Sequence, residues 1–453
     1  MHWLLNLPVA LWRRLLLIGQ GVGALLILIG VGIGALFGSG GSLGDRLKAA
    51  LTAPANLRRG FAAARLFVPN LVLSKKLITA YENIGTAFVA RRNDVLDVLS
   101  RDDDFGVVYG PRMETITGGE NFFLGMQDTP RYTRDVSNMR LAVRRDDVPT
   151  IVAPFMAATA EALVAAAPGQ IDLPQQLAQP AAVRLLDHYF GTPGPSETEI
   201  ADWTTSLFRY LFLDLQADPV FDAATEQKAA AFRAWMDAHI AARKAAGGTG
   251  DDILARCLIM QAGGLPGMTD TDIRNNLIGL LIGELPTTSA AAALALDELL
   301  GRPDALAGAQ AAARAGDDDL FAAYVFEALR FRPLNPVVYR RALRDAWVAQ
   351  GCVRARRIKA GTMVMASNLS AMFDPLAIPS PNSFRTDRPW ETYILWGYGL
   401  HACFGAYLNR ANLPAILKPL LAKANLRRAA GAAGQIDDAG TPFPVHFHLL
   451  FDP

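Results

Sequence analysis

The residues best suited to chemistry lie near the C-terminal end, in Trp396-Gly-Tyr-Gly-Leu-His-Ala-Cys403-Phe-Gly405. The two glycines before the cysteine permit a tight turn with positive φ, and Gly405 allows a flat ligand to approach the backbone closely. Apolar residues recur at helical spacing from Tyr407 to Leu421, which predicts that Cys403 lies in a loop before a helix N-terminus. This position lowers the pKa of a thiol and leaves amides to donate to its sulfur. Such a thiolate is suited to be an axial metal ligand.

Other clusters of metal-binding residue types are weak. The chain has three cysteines without a CxxC pair, which excludes a disulfide framework and indicates a reducing compartment. His446 and His448 alternate around Phe447, which predicts a strand with both rings on one face. The sequence alone favours a plain strand over a metal site there.

The composition bounds the class of protein. The chain has 453 residues, of which 51% are hydrophobic and 19% charged, so it can bury a large core. The net charge of +1 gives no basic surplus, so nucleic-acid binding is not expected. The positive mean hydropathy of +0.19 indicates a membrane segment, many alanines or both.

An apolar run, broken only by Gln20, extends from Leu15 to Phe37 and predicts a membrane anchor over residues 1–37. A helix of this length reaches about 34 Å and can cross a bilayer. A cleaved signal peptide is the alternative, although the run is longer than such peptides require. Basic residues are slightly more numerous after the run, which favours a cytoplasmic catalytic domain. We expect a Gly/Ser linker over residues 38–49 and one large domain over residues 50–453.

The domain is predicted to be mainly α with a minor β part. Thr86 to Ala90 indicates a strand, and Asn93 to Leu99 a helix. Helical spacing then predominates in four stretches, Thr150 to Ala166, Gln175 to Phe190, Glu199 to Leu213 and Ala223 to Ala245, and a buried helix follows from Asn276 to Leu300. Short strands and Pro-rich loops follow Pro333.

The cysteine segment resembles the haem-binding loop of the cytochrome P450 family, F-G-x-G-x-[HR]-x-C-x-G. It matches at its three glycines, at His401 and at Cys403, and Trp396 replaces the usual Phe. The resemblance implies a large P450-like domain that binds haem b, with Cys403 as the axial ligand and His401 as a propionate donor. Trp396, Phe404 and Gly405 belong to the same haem-binding loop.

Further motifs follow in the order of the family. Glu327 and Arg330 form its ExxR pair, and Arg388 takes the place of the arginine that closes this structural lock. Arg340 falls where the family has a second propionate-binding arginine. The family also has a His and an Arg after the turn before the haem-flanking helix. Here those places hold Tyr132 and Val136, so the resemblance leaves the propionate role to Tyr132, Arg134 or Arg140.

The distal helix departs from the family pattern [AG]-G-x-[DE]-T-[TS]. Aligned on Thr287 and Thr288, the acid position holds Pro286 and a glycine position holds Glu284. Pro286 removes a helix amide, so we expect a kink there. Thr287 and Thr288 are predicted to lie over the distal face. Glu284 is either a proton donor or a pocket-lining carboxylate.

The resemblance therefore implies a membrane-anchored haem-thiolate oxidoreductase. Monooxygenation of an apolar, lipid-like substrate is the first interpretation, with a ferredoxin or reductase as external electron donor. Because the usual acid is missing, a peroxide-using peroxygenase or a fatty-acid hydroperoxide isomerase is the alternative. A membrane-tethered haem protein without turnover is the third.

Overall fold

Helices make up most of the chain, and a computed structural model describes residues 2–37 and 42–452, with side chains described from residue 8 onward. The predicted mainly α fold with a minor β part is confirmed. In chain order the helices are α1 (His2–Phe37), α2 (Leu43–Thr52), α3 (Pro54–Phe67), α4 (Arg92–Ser100), α5 (Gly110–Thr117), α6 (Pro130–Ala142), α7 (Ala153–Ala165), α8 (Gln179–His188), α9 (Glu197–Phe208), α10 (Pro219–Ala245), α11 (Ile253–Ala262), α12 (Asp270–Leu300), α13 (Pro303–Ala315), α14 (Asp318–Phe331), α15 (Asn368–Met372) and α16 (Ala406–Leu421).

The strands are short and form three sheets within the described part of the chain. They are β1 (Asn70–Leu73), β2 (Thr86–Val89), β3 (Phe105–Gly106), β4 (Gln170–Asp172), β5 (Val338–Ala342), β6 (Ala346–Val348), β7 (Arg356–Ile358), β8 (Met363–Ala366), β9 (Arg427–Arg428) and β10 (His448–Leu450). The largest sheet has the order β1-β2-β8-β5-β3, the second has the order β4-β10-β9, and β6 pairs with β7.

The chain divides into two compact units, and neither is continuous in sequence. The first comprises Met1–Ile78, Glu82–Gly106 and Arg330–Ala402, and the second comprises Thr79–Tyr81, Val107–Leu329 and Cys403–Pro453. One large domain after residue 50 stays a prediction.

The first unit contains the five-stranded sheet. Strand β2 pairs in parallel with β8, with Thr86 opposite Met363, and β8 pairs antiparallel with β5. The sheet packs against α4 and α15 through fully buried residues such as Val95, Phe105 and Ala371. This sheet fixes Arg340, whose strand β5 lies between β8 and β3.

The second unit is arranged around α12, the buried helix predicted between Asn276 and Leu300. It packs against α8, α9, α10 and α16. The helix begins with a capping box, in which Thr269 Oγ1 accepts from the Asp272 amide and Asp272 accepts from the Thr269 amide. It remains helical through Pro286 to Leu300. The kink predicted at Pro286 stays a prediction.

Helix α1 lies against α3 within the first unit. Its buried residues Leu17, Gly21 and Ala24 recur at helical spacing. A Cβ on Gly21 would lie 2.6 Å from the Leu66 side chain, so glycine is required for this close approach. Arg13 donates to the Leu376 carbonyl at 3.1 Å. The remaining faces of α1 expose large apolar side chains, which include Trp12, Leu26 and Phe37.

The predicted Gly/Ser linker over residues 38–49 stays a prediction. Residues 38–41 lie outside the described residues, and from Leu43 the chain is helical. The helix starts there because Ser42 and Asp45 form a capping box, a signal that the linker prediction missed.

Among the described residues, three helical segments are long and apolar enough to cross a membrane. They are Pro8–Phe37, Val148–Ala165 and Asp270–Leu300. The last has 78% of its apolar window buried inside the protein, against 17% for the N-terminal segment. The N-terminal helix is therefore the candidate that agrees with the predicted anchor.

Candidate functional site

The predicted loop before a helix N-terminus is present at Cys403. Gly397 and Gly399 have positive φ values of 76° and 78°, and α16 begins at Ala406 directly after Gly405. A Cβ on Gly399 would lie 2.2 Å from the Leu99 carbonyl oxygen, so this turn requires glycine on two grounds. Cys403 therefore lies in the turn directly before the first residues of α16.

The Cys403 thiol is solvent-accessible, although protein surrounds it on most sides. This desolvation raises the pKa of the thiol, and the negative charge of Glu284 raises it further. The amides of Gly405 and Ala406 and the charge of Arg140 oppose the rise by favouring the thiolate. The balance keeps the free thiol protonated. A bound cation reverses that balance, because a coordinating thiol is deprotonated by its metal.

Arg140, near the end of α6, holds the residue after the cysteine. Its Nη1 donates to the Phe404 carbonyl at 2.8 Å, and its guanidinium lies 3.7 Å from the centre of the Phe404 ring. Phe123 contacts the same ring, with 5.1 Å between the centroids. The Phe404 side chain is thereby fixed between a cation and an aromatic ring.

The other two residues predicted on α6 are engaged locally. Tyr132 is buried, and its amide donates to the cap residue Thr129 at 3.1 Å. Arg134 forms an ion pair with Asp135, with 2.7 Å between Nη2 and Oδ1. Its guanidinium also lies against Gly267, where a Cβ would be 2.3 Å from Nε. Arg140 is thus the α6 arginine that contacts the cysteine loop.

Glu284, on α12, is buried and points to α16. Its Oε1 accepts from Asn412 Nδ2 at 2.8 Å and from Thr288 Oγ1 at 3.2 Å. Burial raises the pKa of this carboxyl, and the two hydrogen bonds lower it to a smaller extent. The structure therefore brings Glu284 and Thr288 together and links both to the helix that follows Cys403.

Thr287 is half-buried and bonds within its own helix. Its Oγ1 donates to the Gly283 carbonyl at 2.5 Å, the back-bond that threonine commonly forms in helices. Gly283 is exposed, and no atom of the described residues outside its chain neighbours and the backbone of its own helix lies within 4 Å of a Cβ placed on it. One turn earlier, a Cβ on Gly279 would lie 2.2 Å from the Phe122 ring.

In the first unit, His401 is fixed by Asp102. Its Nδ1 lies 3.0 Å from Asp102 Oδ1, and the side chain is 2% exposed. Trp396 stacks on Trp390 at 5.5 Å between the ring centroids. Arg340 is buried on β5, and its Nη1 donates to the Tyr339 carbonyl at 3.0 Å.

The two arginines of the predicted structural lock converge on one carbonyl. Arg330 Nη2 donates to the Ser383 oxygen at 3.3 Å, and Arg388 Nη2 donates to the same oxygen at 2.7 Å. Arg330 is fully buried and also donates to the Pro381 carbonyl at 2.8 Å. Glu327 lies one turn earlier on α14 and is fully buried as well.

The residues around Cys403 suit a haem group. A soft sulfur ligand is accessible, and two amides are directed to it. Apart from its chain neighbours, no atom of the described residues lies within 4 Å of a Cβ placed on Gly405, so the backbone beside the sulfur can be approached closely. This donor set fits a thiolate-ligated iron, whose properties depend on such hydrogen bonds.

The sequence prediction missed Asn412 and Asp102. Asn412 stands between Leu408 and Ile416 on a buried i, i+4 stripe of α16, so a polar residue on an apolar stripe was a usable signal. Asp102 is 299 residues from His401, and the sequence holds no signal for their contact.

Comparisons with known proteins show that the chain is similar to cytochromes P450. Residues 220–428 match the family model described as Cytochrome P450. Psi-producing oxygenase A of Emericella nidulans is 34% identical over 151 residues, which are 30% of this chain and 14% of that protein. Linoleate diol synthase of Gaeumannomyces graminis is 37% identical over 98 residues, which are 22% of this chain and 8% of that protein. The chain thus spans a small share of these curated relatives.

Two further proteins are similar over most of their length. Cytochrome P450 monooxygenase PikC of Streptomyces venezuelae is 26% identical over 302 residues, which cover 65% of this chain and 67% of that protein. The structure of P450BioI with an acyl carrier protein ligated to hexadec-9Z-enoic acid has a TM-score of 0.74 and 18% identity. It covers 88% of this chain and 99% of that chain, and this likeness shows the fold.

The predicted resemblance is therefore confirmed by the family match and by the fold. The family and its fold bind haem, and its members include oxygenases. In its family-model match over residues 220–428 and in its fold, the chain is similar to cytochromes P450.

Proposed function

We propose that this protein is a haem-thiolate oxidoreductase that transfers oxygen to an apolar, lipid-like substrate, with haem b as cofactor. The observation that carries the proposal is the accessible Cys403 thiol with the amides of Gly405 and Ala406 directed to its sulfur. A thiolate-ligated haem supplies the chemistry that cleaves an oxygen–oxygen bond. Cys403 is the axial ligand in this proposal.

In this proposal, the other predicted site residues bind the haem propionates or fix the loop that carries Cys403. Arg140 fixes the loop after the ligand through the Phe404 carbonyl and ring. His401 and Arg340 are propionate donors, and Asp102 orients the His401 ring through Nδ1. Tyr132 supplies a further hydroxyl donor. The pairing of Arg134 with Asp135 supports a structural role for it instead.

The names of similar proteins and the apolar N-terminal segment both support a lipid-like substrate. The name of one relative specifies linoleate, and P450BioI was solved with a hexadecenoyl-loaded carrier protein. The apolar segment Pro8–Phe37 also brings the protein to a membrane, where such molecules concentrate. An unsaturated fatty acid or its hydroperoxide is therefore the substrate class to test first.

An oxygenated product can form from dioxygen or from a peroxide, and the two kinds of route differ in the protons and electrons that they require. A monooxygenase takes dioxygen and two electrons from a ferredoxin or reductase. In a hydroperoxide isomerase, the O–O bond of the substrate breaks and both oxygens remain in the product, so no external electrons are needed. A peroxygenase likewise receives oxygen that is already reduced.

The distal helix favours the peroxide routes. Pro286 occupies the position of the usual acid. The Glu284 carboxylate accepts hydrogen bonds from Asn412 and Thr288. Thr287 donates to its own helix. None of these side chains is arranged as the usual acid–alcohol relay, which a hydroperoxide substrate does not require.

One experiment separates the routes. Purified holoprotein receives linoleate with a reductase system and dioxygen, linoleate with hydrogen peroxide, or a linoleate hydroperoxide with no other oxidant, and products are identified by mass spectrometry. Product in either of the last two reactions supports the peroxide routes. Strict dependence on reductase and dioxygen would establish the monooxygenase. No product in any reaction leaves a membrane-tethered haem protein without turnover.

We further propose that residues 1–37 anchor the protein in a membrane by a single span, with the catalytic units on the cytoplasmic side. The basic residues after α1, among them Arg46 and Lys48, support this orientation. Removal of residues 1–41 should move the protein from the membrane fraction to the soluble fraction. A protein that stays in the soluble fraction at full length would contradict the anchor.

A further inference from the structure

Two histidines and an aspartate, none of them assigned to haem, meet on the small sheet of the second unit. Strand β10 pairs antiparallel with β4, and His448 stands opposite Asp172. His446 is two residues earlier, so its side chain is on the same face as that of His448. The two imidazole rings lie 6.0 Å apart at 5° to each other. The sequence-based expectation of both rings on one face is thus met, with a carboxylate added from another strand.

The ligand atoms are close to the spacing of a metal site. His446 Nδ1 lies 2.6 Å from Asp172 Oδ2, and His448 Nε2 lies 3.9 Å from the same oxygen. One ligand atom from each residue falls within 4.8 Å of the others. Tetrahedral coordination at bond lengths of 2.0–2.1 Å requires ligand atoms about 3.3 Å apart. The distance from His446 to Asp172 must therefore lengthen, and that from His448 to Asp172 must shorten, each by less than about 1 Å. The two histidine nitrogens, which are at most 4.8 Å apart, must approach by at most about 1.5 Å, and side-chain rotation can supply these changes.

The aspartate is oriented before any ion binds. Its second oxygen, Oδ1, accepts from the Phe447 amide at 2.9 Å, and its own amide donates to Gln176 Oε1 at 2.7 Å. Phe447 is fully buried, so the residue between the two histidines anchors their strand to the core. Hydrogen bonds of this kind to a ligating carboxylate fix its direction and strengthen metal sites.

The site also has room for the ligands that protein does not supply. The side chain of Asp172 is 8% exposed, whereas those of His446 and His448 are 45% and 47% exposed. An ion held by these three groups therefore faces water on its remaining side. Two imidazoles and one carboxylate are the donors preferred by Zn²⁺ and similar divalent transition metals, whereas Mg²⁺ and Ca²⁺ prefer oxygen ligands only.

We propose that Asp172, His446 and His448 form a surface site for a divalent transition metal, of which Zn²⁺ is the representative. The ion joins two segments that are 274 residues apart in the chain. It therefore ties the C-terminal strand β10 to β4 and acts on stability, independently of the haem reaction.

The test uses untagged full-length holoprotein and Zn²⁺ alone. Equilibrium dialysis at pH 7.5, followed by elemental analysis, should show one equivalent of zinc per chain. Asp172→Asn, His446→Ala and His448→Ala should each weaken zinc binding more than about tenfold, because even loss of an outer-shell partner commonly costs 10–100-fold. The matched control is His188→Ala, which removes an exposed histidine that stacks on Phe155 and should leave zinc binding unchanged.

Thermal unfolding distinguishes ligand loss from misfolding. In EDTA, Asp172→Asn keeps the shape of the side chain and should unfold at nearly the temperature of the unmodified protein. Zinc should raise Tm of the unmodified protein and of His188→Ala, but not of Asp172→Asn. The proposal fails if the unmodified protein binds no zinc, or if the double variant His446→Ala/His448→Ala binds as much zinc as the unmodified protein. Equal loss in His188→Ala would show nonspecific binding and would also overturn it.

Discussion

The loop before α16 and the middle of α12 differ in how closely they follow the family pattern, although the end of the loop, from Cys403 onward, belongs to the same unit as α12. The loop keeps its glycines, its cysteine and the start of a helix directly after it. The α12 segment has a proline in the acid position and a buried glutamate at a glycine position. The residues predicted to hold the haem iron follow the family pattern, and those at the positions of the usual acid–alcohol pair depart from it. The comparison separates cofactor binding from the choice of reaction.

The rearrangement on α12 has a structural consequence. Glu284 and Thr288 are one turn apart, so their side chains lie on the same helix face and bond to each other. Asn412 completes this network from α16. The altered segment of α12 is therefore connected to the helix that begins beside Cys403, and a change in one region bears on the other.

Replacing the cysteine tests the retained region and should have the largest effect. Cys403→Ala removes the only side chain in the loop that can act as a thiolate ligand, so the reduced, CO-treated protein should lose the red-shifted Soret band completely. Cys352→Ala is the matched control, because that cysteine is exposed and its thiol donates only to the local Ala349 carbonyl. A red-shifted band that survives in Cys403→Ala would refute the ligand assignment.

Restoring the family pattern tests the altered region. The double variant Glu284→Gly/Pro286→Asp places an acid where the family has one. General acid–base groups contribute about 10²- to 10⁴-fold to rates, so reductase-driven turnover should rise at least ~10-fold relative to peroxide-driven turnover. Pro286→Ala is the control, since it removes the proline without adding an acid. An unchanged ratio of the two activities would show that the route does not depend on this segment.

The fold was predictable where sequence patterns are local. The periodicity of α12 and α10, the strand at Thr86 and the turn glycines near Cys403 all correspond to elements of the structure. The start of α2 at Leu43 was missed, because glycines suggested a linker although Ser42 and Asp45 carry a capping signal. The discontinuous division into two units rests on long-range contacts that periodicity does not encode.

The site shows the same limit. The prediction of Cys403 rests on a contiguous motif, and the predictions of Arg330 and Arg388 rest on the order of motifs in the family. The partner of Glu284 was not predicted, since Asn412 is 128 residues away and only its polar type on an apolar stripe marks it. The meeting of Asp172 with His446 likewise depends on strand pairing between distant segments.

Arg140 supports the retained region from α6, and its loss should have a moderate effect. Arg140→Gln removes the charged hydrogen bond to the Phe404 carbonyl and the contact with its ring. Together these contacts should be worth about 2 kcal/mol, so the free energy of unfolding should fall by that amount and haem should dissociate faster. Arg144→Gln is the control, because that side chain is 53% exposed. Equal stability of the two variants would exclude a clamp at Phe404.

The pH dependence of stability tests Glu284 and should be the subtlest effect. Because burial raises the pKa of its carboxyl above the ordinary value of 4.5, the folded state holds the proton more tightly than the unfolded state. Its stabilising contribution is thus fully present below pH 4.5 and is lost as the pH rises through the folded-state pKa. Glu284→Gln lacks this titration and keeps an acceptor for Asn412 and Thr288, so its stability relative to the unmodified protein should increase from pH 4.5 to 8. Urea unfolding across this range, with exposed Glu161→Gln as control, measures the difference. A difference that is constant with pH would mean that Glu284 ionises as easily in the folded protein as in the unfolded chain.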